Sequence, residues 1–158
     1  MNETVKKIGF TAAVTAVLAV VVPVTTHFEG LRNRAYGDLG GVLTICYGET
    51  AGVQAGDFKT TQQCRDMLQN RLGGFAVQVQ SLVKVPMTVE RWAALTDFAY
   101  NVGMGNFAKS SVLKKLNSGD TVGACNELMR WRYVKGVEVS GLTRRRAAER
   151  ELCLKGIK

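Results

Sequence analysis

A long stretch near the start of the chain contains no charged residue. It runs from Ile8 to Thr26 and follows Lys6 and Lys7. Its length approaches the roughly 20 residues that a membrane-spanning helix needs. Small and polar residues dilute its apolar character, namely Gly9, Thr11, Ala12, Ala13, Thr15, Ala16, Ala19, Pro23, Thr25 and Thr26. The pattern predicts a secretion signal or a marginal membrane span, with the N-terminus cytoplasmic by the positive-inside rule.

The fate of this segment is open from its residues alone. A cleaved signal peptide usually carries a small-x-small site after its apolar core. The flank from Pro23 to Glu29 has no good Ala-x-Ala sequence, so an uncleaved segment is favoured over a cleaved signal. A permanent anchor and a buried N-terminal helix of a soluble enzyme are further alternatives.

The pattern changes to short strands after Glu29. From Gly30 to Asp57 the chain is rich in glycine, and a β-branched and aromatic run covers residues 42–47. Such runs between glycines predict short strands and tight turns, and therefore a small β lobe. From Gln62 to Val83 the apolar residues recur at helical spacing. Gly73-Gly74 lowers helix propensity and is expected to bend or break this helix.

The remainder of the chain is predicted to be helical. Thr88 caps a helix with a hydrophobic stripe, and further helices are expected from Ser110 to near Gly119, from Asp120 to Trp131 and from Leu142 to Leu154. The fold class is therefore α+β and mostly helical. The expected units are an N-terminal apolar segment (1–27) and a folded domain (28–158), divided into a small lobe (28–59), a connecting helix (60–85) and a helical lobe (86–158).

Length, charge and motif content limit the classes of partner that the protein is expected to bind. The 158 residues suit one domain or a small two-lobed unit, and 21 Lys and Arg against 13 Asp and Glu give a net charge of +8. A basic surface favours polyanions such as nucleic acid or bacterial cell wall. Zinc-finger spacing and an aromatic-basic RNA-binding signature are missing from the sequence, so no nucleic-acid partner is expected.

The four cysteines favour disulfides over a metal site. Cys46, Cys64, Cys125 and Cys153 form no Cys-x-x-Cys pair, and His27 is the sole histidine, so no metal is expected. Three connectivities are possible in an oxidising compartment. Sequence locality favours 46–64 with 125–153. Four reduced and buried cysteines are the alternative.

Two acids and a threonine point to glycosidic-bond cleavage. Glu29 ends the apolar segment, Asp38 follows in a Gly-rich turn and Thr44 begins a short β-like run. Carboxylates in different surroundings suit this reaction, because one donates a proton while the other stays ionised and directs water. Taken alone, this triplet is equally compatible with ordinary surface carboxylates.

Three ordered motifs carry a family resemblance. They are residues 27–50, residues 98–107 with 110–117, and residues 141–152. In this order they resemble the motifs of phage-type lysozymes, glycoside hydrolase family 24, over roughly residues 27–156. The resemblance implies a lysozyme-like fold and hydrolysis of the β-1,4 bond between N-acetylmuramic acid and N-acetylglucosamine in peptidoglycan. It implies no metal or organic cofactor.

The resemblance also assigns roles to residues. Glu29 is the expected general acid, and Asp38 with Thr44 is expected to hold the attacking water. Inversion at the anomeric carbon is implied, which needs carboxyl groups roughly 6.5–9.5 Å apart, whereas retention needs about 5–5.5 Å. The expected substrate contacts are Tyr36, Thr50, Tyr100, Asn101 and Ser110, although Tyr100 and Asn101 are as well explained by local packing or capping.

Two parts of the family resemblance are not resolved by the sequence. An arginine of the family pairs with the catalytic Glu, and Arg144, Arg145 and Arg146 are equal candidates for that role here. The family often has a histidine where this chain has Glu49. An ion pair built on that histidine is therefore expected to be absent or reversed.

The N-terminal segment resembles the signal-arrest-release segments of some phage endolysins. This implies an inactive form held in the host inner membrane through residues 8–26, with the catalytic domain periplasmic, followed by release of the intact chain into the periplasm. A monomer is expected. The alternatives are a lytic transglycosylase, which cuts the same bond without water, and a non-catalytic wall-binding membrane protein.

Overall fold

The computed structural model describes the backbone of residues 3–157 and the side chains of residues 11–157. The side chains of the first residues of the apolar segment, 8–10, therefore lie outside the described residues. The structure contains helices and two small two-stranded sheets. The predicted α+β, mostly helical class is confirmed.

The apolar segment forms most of α1 (Glu3–Glu29), which packs against the body of the protein. Val17, Val21 and Thr25 are fully buried. Residues four apart share one face of a helix, so these three form a stripe, and Glu29 is the next member of that stripe. Thr11–Glu29 is long and apolar enough to cross a membrane, with a mean hydropathy of 1.7, yet only 17% of this span is buried. One face of α1 thus contacts the body while the other faces remain in contact with solvent.

A small β lobe follows α1, as predicted. β1 (Arg32–Gly37) pairs antiparallel with β2 (Leu43–Cys46), with an irregular register between Arg32 and Tyr36. Gly30, at φ +71°, ends the helix and turns the chain into β1. The catalytic candidates of the small lobe therefore lie on a hairpin that begins directly beside the end of α1.

The connecting helix α2 (Thr61–Leu82) is continuous. A capping box of Thr60 and Gln63 starts it. The expected bend or break at Gly73-Gly74 is wrong, because apolar residues before and after the glycines hold the helix against the core. A Cβ added at Gly73 would lie 4.0 Å from Leu18 Cδ1, so Gly73 lies on the α2 surface that α1 approaches.

The helical lobe is built around α3 (Val89–Val102), which packs against α1, α2 and α7 (Ser140–Leu154). The shorter helices are α4 (Met104–Lys109), α5 (Ser111–Asn117) and α6 (Thr121–Glu127). The helix expected from Asp120 to Trp131 is shorter than predicted, since a 3₁₀ turn at Leu128–Arg130 replaces its second half. A hairpin of β3 (Tyr133–Val134) and β4 (Val137–Glu138) then precedes α7 and was not expected from the sequence.

Both predicted disulfides are present. Cys46–Cys64 joins β2 to α2, and Cys125–Cys153 joins α6 to α7. Cross-links that close loops of this size stabilise a fold by about 3 kcal/mol, chiefly by restricting the unfolded chain. The first bridge also fixes the β lobe on the connecting helix, and thereby fixes one wall of the region around Glu29.

The docking of α1 predicts an asymmetric effect of two identical substitutions. Val21→Ala removes buried methyl groups from the interface of α1 and should lower the free energy of unfolding of the soluble protein by about 2 kcal/mol. Val77→Ala, at a position of α2 that is 42% exposed, should change it by less than about 0.5 kcal/mol. Urea denaturation of the two variants measures the difference. Equal effects would contradict a docked α1.

Candidate active site

Glu29 extends from the C-terminal end of α1 into the region between the β lobe and the helical lobe. Its Oε1 accepts a hydrogen bond of 2.6 Å from Nη1 of Arg145. Its Oε2 lies beside Gly48, where an added Cβ would be 3.6 Å away. The side chain is 23% exposed. A carboxyl group that is mostly enclosed and still reaches solvent suits proton transfer to a substrate.

Arg145 is the arginine that the sequence could not select. It donates to Asp97 through Nε and Nη2, each at 2.9 Å, in addition to its bond to Glu29. Its two neighbours act differently. Arg146 is fully buried and donates to Asn101 and Glu149, whereas Arg144 is exposed.

The buried charges around Arg145 shift one another's ionisation. Burial alone would raise the pKa of Asp97, but hydrogen bonds with Arg145, Glu149 and Thr25 lower it. Burial would lower the pKa of Arg145, but Asp97 and Glu29 raise it. Burial raises the pKa of Glu149 well above its ordinary value in spite of Arg146. Asp97 and Arg145 are therefore an ion pair, while Glu149 holds its proton more readily.

A cavity of about 420 Å³ opens beside Glu29. Residues from α1, α3, the end of the β3–β4 hairpin and α7 line it, namely His27, Phe28, Glu29, Asn101, Val139, Gly141, Leu142, Arg144 and Arg145. Polar, cationic and apolar side chains are combined in this lining, as is usual in small-molecule sites. Glu29 and Asn101, two of the sequence-predicted site residues, both line this cavity.

The other two catalytic candidates lie on the β1–β2 hairpin. Asp38 is exposed, and its Oδ1 accepts hydrogen bonds of 2.8 Å from the backbone N–H groups of Gly40 and Val42. Thr44 is 5% exposed and donates to the Val42 carbonyl at 3.1 Å. Tyr36 pairs with Thr44 across the hairpin. The turn therefore orients Asp38 through its own backbone and leaves the carboxylate in contact with water.

Tyr100 joins α3 to the β lobe near Glu29. Its hydroxyl donates to the Tyr47 carbonyl at 3.0 Å. Burial, followed by the negative charges of Glu29 and Glu49, raises the pKa of Tyr100 to about 12, so it remains a neutral donor. Glu49 itself is bound by Arg71 of α2 at 2.8 Å. The position where the family often has histidine is thus the acidic member of an ion pair, and Thr50 follows it at the surface.

Ser110 is used differently from the expected substrate contact. It is 5% exposed, donates to the Phe107 carbonyl at 2.7 Å and accepts from the Leu113 N–H at the start of α5. A buried hydroxyl that caps a helix is accounted for by local structure. We therefore do not retain Ser110 in the proposed site.

Sequence reasoning missed two residues that the structure places behind Glu29. Asp97 is a buried carboxylate within the apolar surface of α3, and Thr25 donates to its Oδ1 at 2.6 Å. An acid inside an apolar helical stripe was a usable signal, since such a residue is rarely buried without a partner. The spacing of four between Thr25 and Glu29 was a second signal.

Comparison with known proteins identifies the family. The family model described as phage lysozyme matches residues 26–149. The chain belongs to the phage lysozyme family. Among curated proteins, the SAR-endolysin of Bacteriophage PS119 is 40% identical over 149 residues, which cover 94% of this chain and 89% of the relative. The SAR-endolysin of Enterobacteria phage P21 is 38% identical and covers 94% of this chain and 90% of the relative.

Solved structures agree with this assignment. The muramidase domain of SpmX from Asticaccaulis excentricus has a TM-score of 0.79 at 31% identity, covering 84% of this chain and 93% of that chain. The active form of the P1 phage endolysin Lyz gives 0.76 at 28% identity, over 90% of this chain and 85% of that chain. The secreted inactive form of Lyz gives 0.53 at 28% identity, over 68% and 77%. The fold of this chain is thus more similar to the active form of Lyz than to its secreted inactive form.

The burial of Arg145 predicts a large loss of stability on its removal. Arg145→Met leaves Asp97 as a buried carboxylate without its counterion and should lower the free energy of unfolding by about 3–5 kcal/mol. Arg144→Met, at the exposed neighbouring position, should cost less than about 0.5 kcal/mol. Denaturant titration of both variants at neutral pH checks this. A similar small cost for both would show that the Arg145–Asp97 pair is not buried as described.

Proposed function

We propose that this phage lysozyme is an endolysin that hydrolyses the β-1,4 bond between N-acetylmuramic acid and N-acetylglucosamine in peptidoglycan. The observation that carries the proposal is the Glu29 carboxyl group, held by Arg145 beside a cavity that residues of α1, α3 and α7 line. The related SAR-endolysins and the basic surface, which suits the anionic cell wall, support the same substrate.

In the proposed reaction Glu29 is the general acid. It donates its proton to the glycosidic oxygen as the bond to the anomeric carbon breaks, so the leaving sugar departs as an alcohol. Arg145 orients the carboxyl group through Oε1, which directs Oε2 toward Gly48 and the β lobe.

We assign the activation of the attacking water to residues of the β1–β2 hairpin. Ionised Asp38 accepts a proton from the water as the water oxygen bonds to the anomeric carbon. Thr44 orients the same water. The two backbone hydrogen bonds to Asp38 Oδ1 hold the carboxylate in place. Attack from the face opposite the leaving group gives the proposed inversion. Tyr36, Thr50, Tyr100 and Asn101 are the proposed substrate contacts.

A lytic transglycosylase is the second candidate, because it needs one acid only. It forms an internal ring ether on the sugar, so its product is lighter by one water molecule than the hydrolysis product. The exposed Asp38 on the hairpin favours hydrolysis. Mass spectrometry of the released muropeptides distinguishes the two reactions.

Replacement of the proposed acid should abolish lysis. Glu29→Gln should lower the clearing rate of outer-membrane-permeabilised Gram-negative cells by at least ten-fold, since a general acid typically contributes about 10²–10⁴-fold. Asp38→Asn should have a comparable effect, and Thr44→Ala a smaller one. Glu151→Gln, at an exposed position of α7, is the matched control. A Glu29→Gln enzyme with near wild-type activity would remove Glu29 from its proposed role.

We further propose that α1 first holds the chain in the host inner membrane, and that the uncleaved chain is then released from the membrane. The N-terminus is cytoplasmic and the catalytic domain periplasmic in the first state, and the chain is a soluble periplasmic monomer in the second. The marginal hydropathy of Thr11–Glu29 and its partial burial against the body support both environments for one helix.

A more apolar α1 should delay lysis without altering the site. Thr15 and Ala16 are exposed on docked α1, so Thr15→Leu with Ala16→Leu leaves the docked face unchanged and favours insertion by on the order of 1 kcal/mol. We expect more protein in the membrane fraction and later lysis, with normal activity per molecule of soluble enzyme. Thr15→Ser with Ala16→Ser is the control. Soluble wild-type protein that begins between about residues 20 and 28 would instead establish a cleaved signal.

A further inference from the structure

Thr25 is a polar residue within the apolar stripe that docks α1. It lies four residues after Val21 and is fully buried like Val17 and Val21. A buried hydroxyl requires a hydrogen-bond partner, because its transfer out of water is otherwise unfavourable. Its partner is Asp97 Oδ1 of α3, at 2.6 Å. Docking of α1 therefore includes one specific polar contact with the body.

The same carboxylate holds Arg145. Asp97 is fully buried and accepts from Arg145 through both of its oxygens, so the guanidinium and the carboxylate form a bidentate pair between α7 and α3. This pair fixes the plane of the guanidinium. The remaining nitrogen, Nη1, points to Glu29 at 2.6 Å.

The spacing on α1 matches this pair. Thr25 and Glu29 are one helical turn apart on the same face, with Cβ atoms about 5–6 Å from each other in such an arrangement. Thr25 supplies a donor to Asp97, and Glu29 supplies an acceptor to Arg145. One turn of α1 therefore meets both members of an ion pair that the body of the protein contributes from two other helices.

We propose that Asp97 and Thr25 are positioning residues for the general acid, with Asp97 holding both the guanidinium that binds Glu29 and the turn of α1 that carries Glu29. The inference rests on the proposed function of Glu29. These contacts set the register in which the last turn of α1 docks. A helix docked one turn out of place would separate Thr25 from Asp97 and Glu29 from Arg145.

Asp97 also balances the charge next to Glu29. A general acid has to hold a proton, and an unbalanced guanidinium at 2.6 Å would favour its ionised form. The groups facing Asp97 are Arg145, Thr25 and Glu149, and Arg146 pairs with Glu149 behind them. Since Asp97 is the closest partner of Arg145 besides Glu29, its negative charge offsets the cation beside Glu29.

The first test removes the hydroxyl of Thr25 and then restores it. Thr25→Val keeps the shape of the side chain but cannot donate, and kcat/KM of the soluble full-length enzyme on purified peptidoglycan should fall about ten-fold. Thr25→Ser keeps the hydroxyl and should stay within about three-fold of wild type. Thr26→Val is the matched control, because Thr26 bonds to the Pro23 carbonyl of its own helix, and it should behave like wild type.

The second test uses the pH dependence of kcat/KM. Asp97→Asn removes the balancing charge, so the alkaline limb, where the general acid loses its proton, should move about one pH unit lower. Thr25→Val leaves the charges in place and should not move this limb. A residue with only a structural role would lower activity without displacing the limb.

The outcomes separate the two proposals. If Thr25→Val and Thr25→Ser are equally active and the limb of Asp97→Asn does not move, the positioning role is wrong, while wild-type activity and an inactive Glu29→Gln still support the proposed function. If Asp97→Asn does not fold, the contrast between Thr25→Val and Thr25→Ser decides alone. If Glu29→Gln is fully active, the proposed function itself fails.

Discussion

The buried guanidinium of Arg145 is the interaction on which the arrangement around Glu29 depends. Three elements meet there: α7 supplies Arg145, α3 supplies Asp97, and α1 ends with Glu29. Burying a cation costs free energy unless it is paired and hydrogen-bonded. The positions of these three helix segments are therefore linked, and a displacement of any one leaves a charge unpaired. Glu29 is held by the same contacts that hold the helical lobe together.

The second constraint acts on α1, which under the proposed function has to suit two environments with one sequence. Thr11–Glu29 is long and apolar enough to span a bilayer, while the buried stripe of Val17, Val21 and Thr25 matches the body of the protein. In the proposed membrane state the stripe faces lipid, and Asp97 lacks its hydrogen bond from Thr25. In the docked state the core gains the apolar contacts of α1. The Arg145–Asp97 pair gains its hydrogen bonds with Glu29 and Thr25. The resemblance to the active form of the P1 phage endolysin fits the docked state.

Much of the fold is predictable from local sequence patterns. Helical spacing, caps and glycine-rich turns predicted the β lobe and the main helices, and locality predicted both disulfides. The continuous α2 was missed, because packing on both sides of Gly73-Gly74 outweighs their low helix propensity. The choice of Arg145 over its neighbours depends on which face of α7 turns inward, and the Thr25–Asp97 contact joins residues 72 positions apart. Such contacts arise from tertiary packing: an acid inside an apolar stripe indicates that a buried partner exists, but local sequence does not say which residue it is.

Amide hydrogen exchange over residues 17–29 of the soluble full-length protein tests the central claim most directly. That claim is that α1 is an integral part of the core and holds Glu29 in place. The account predicts that these amides, up to the last turn at Glu29, are protected to nearly the same extent as those of α3, because α1 opens only when the core opens. Rapid exchange of this segment, with α3 still protected, would show that α1 is an undocked appendage and would contradict the account.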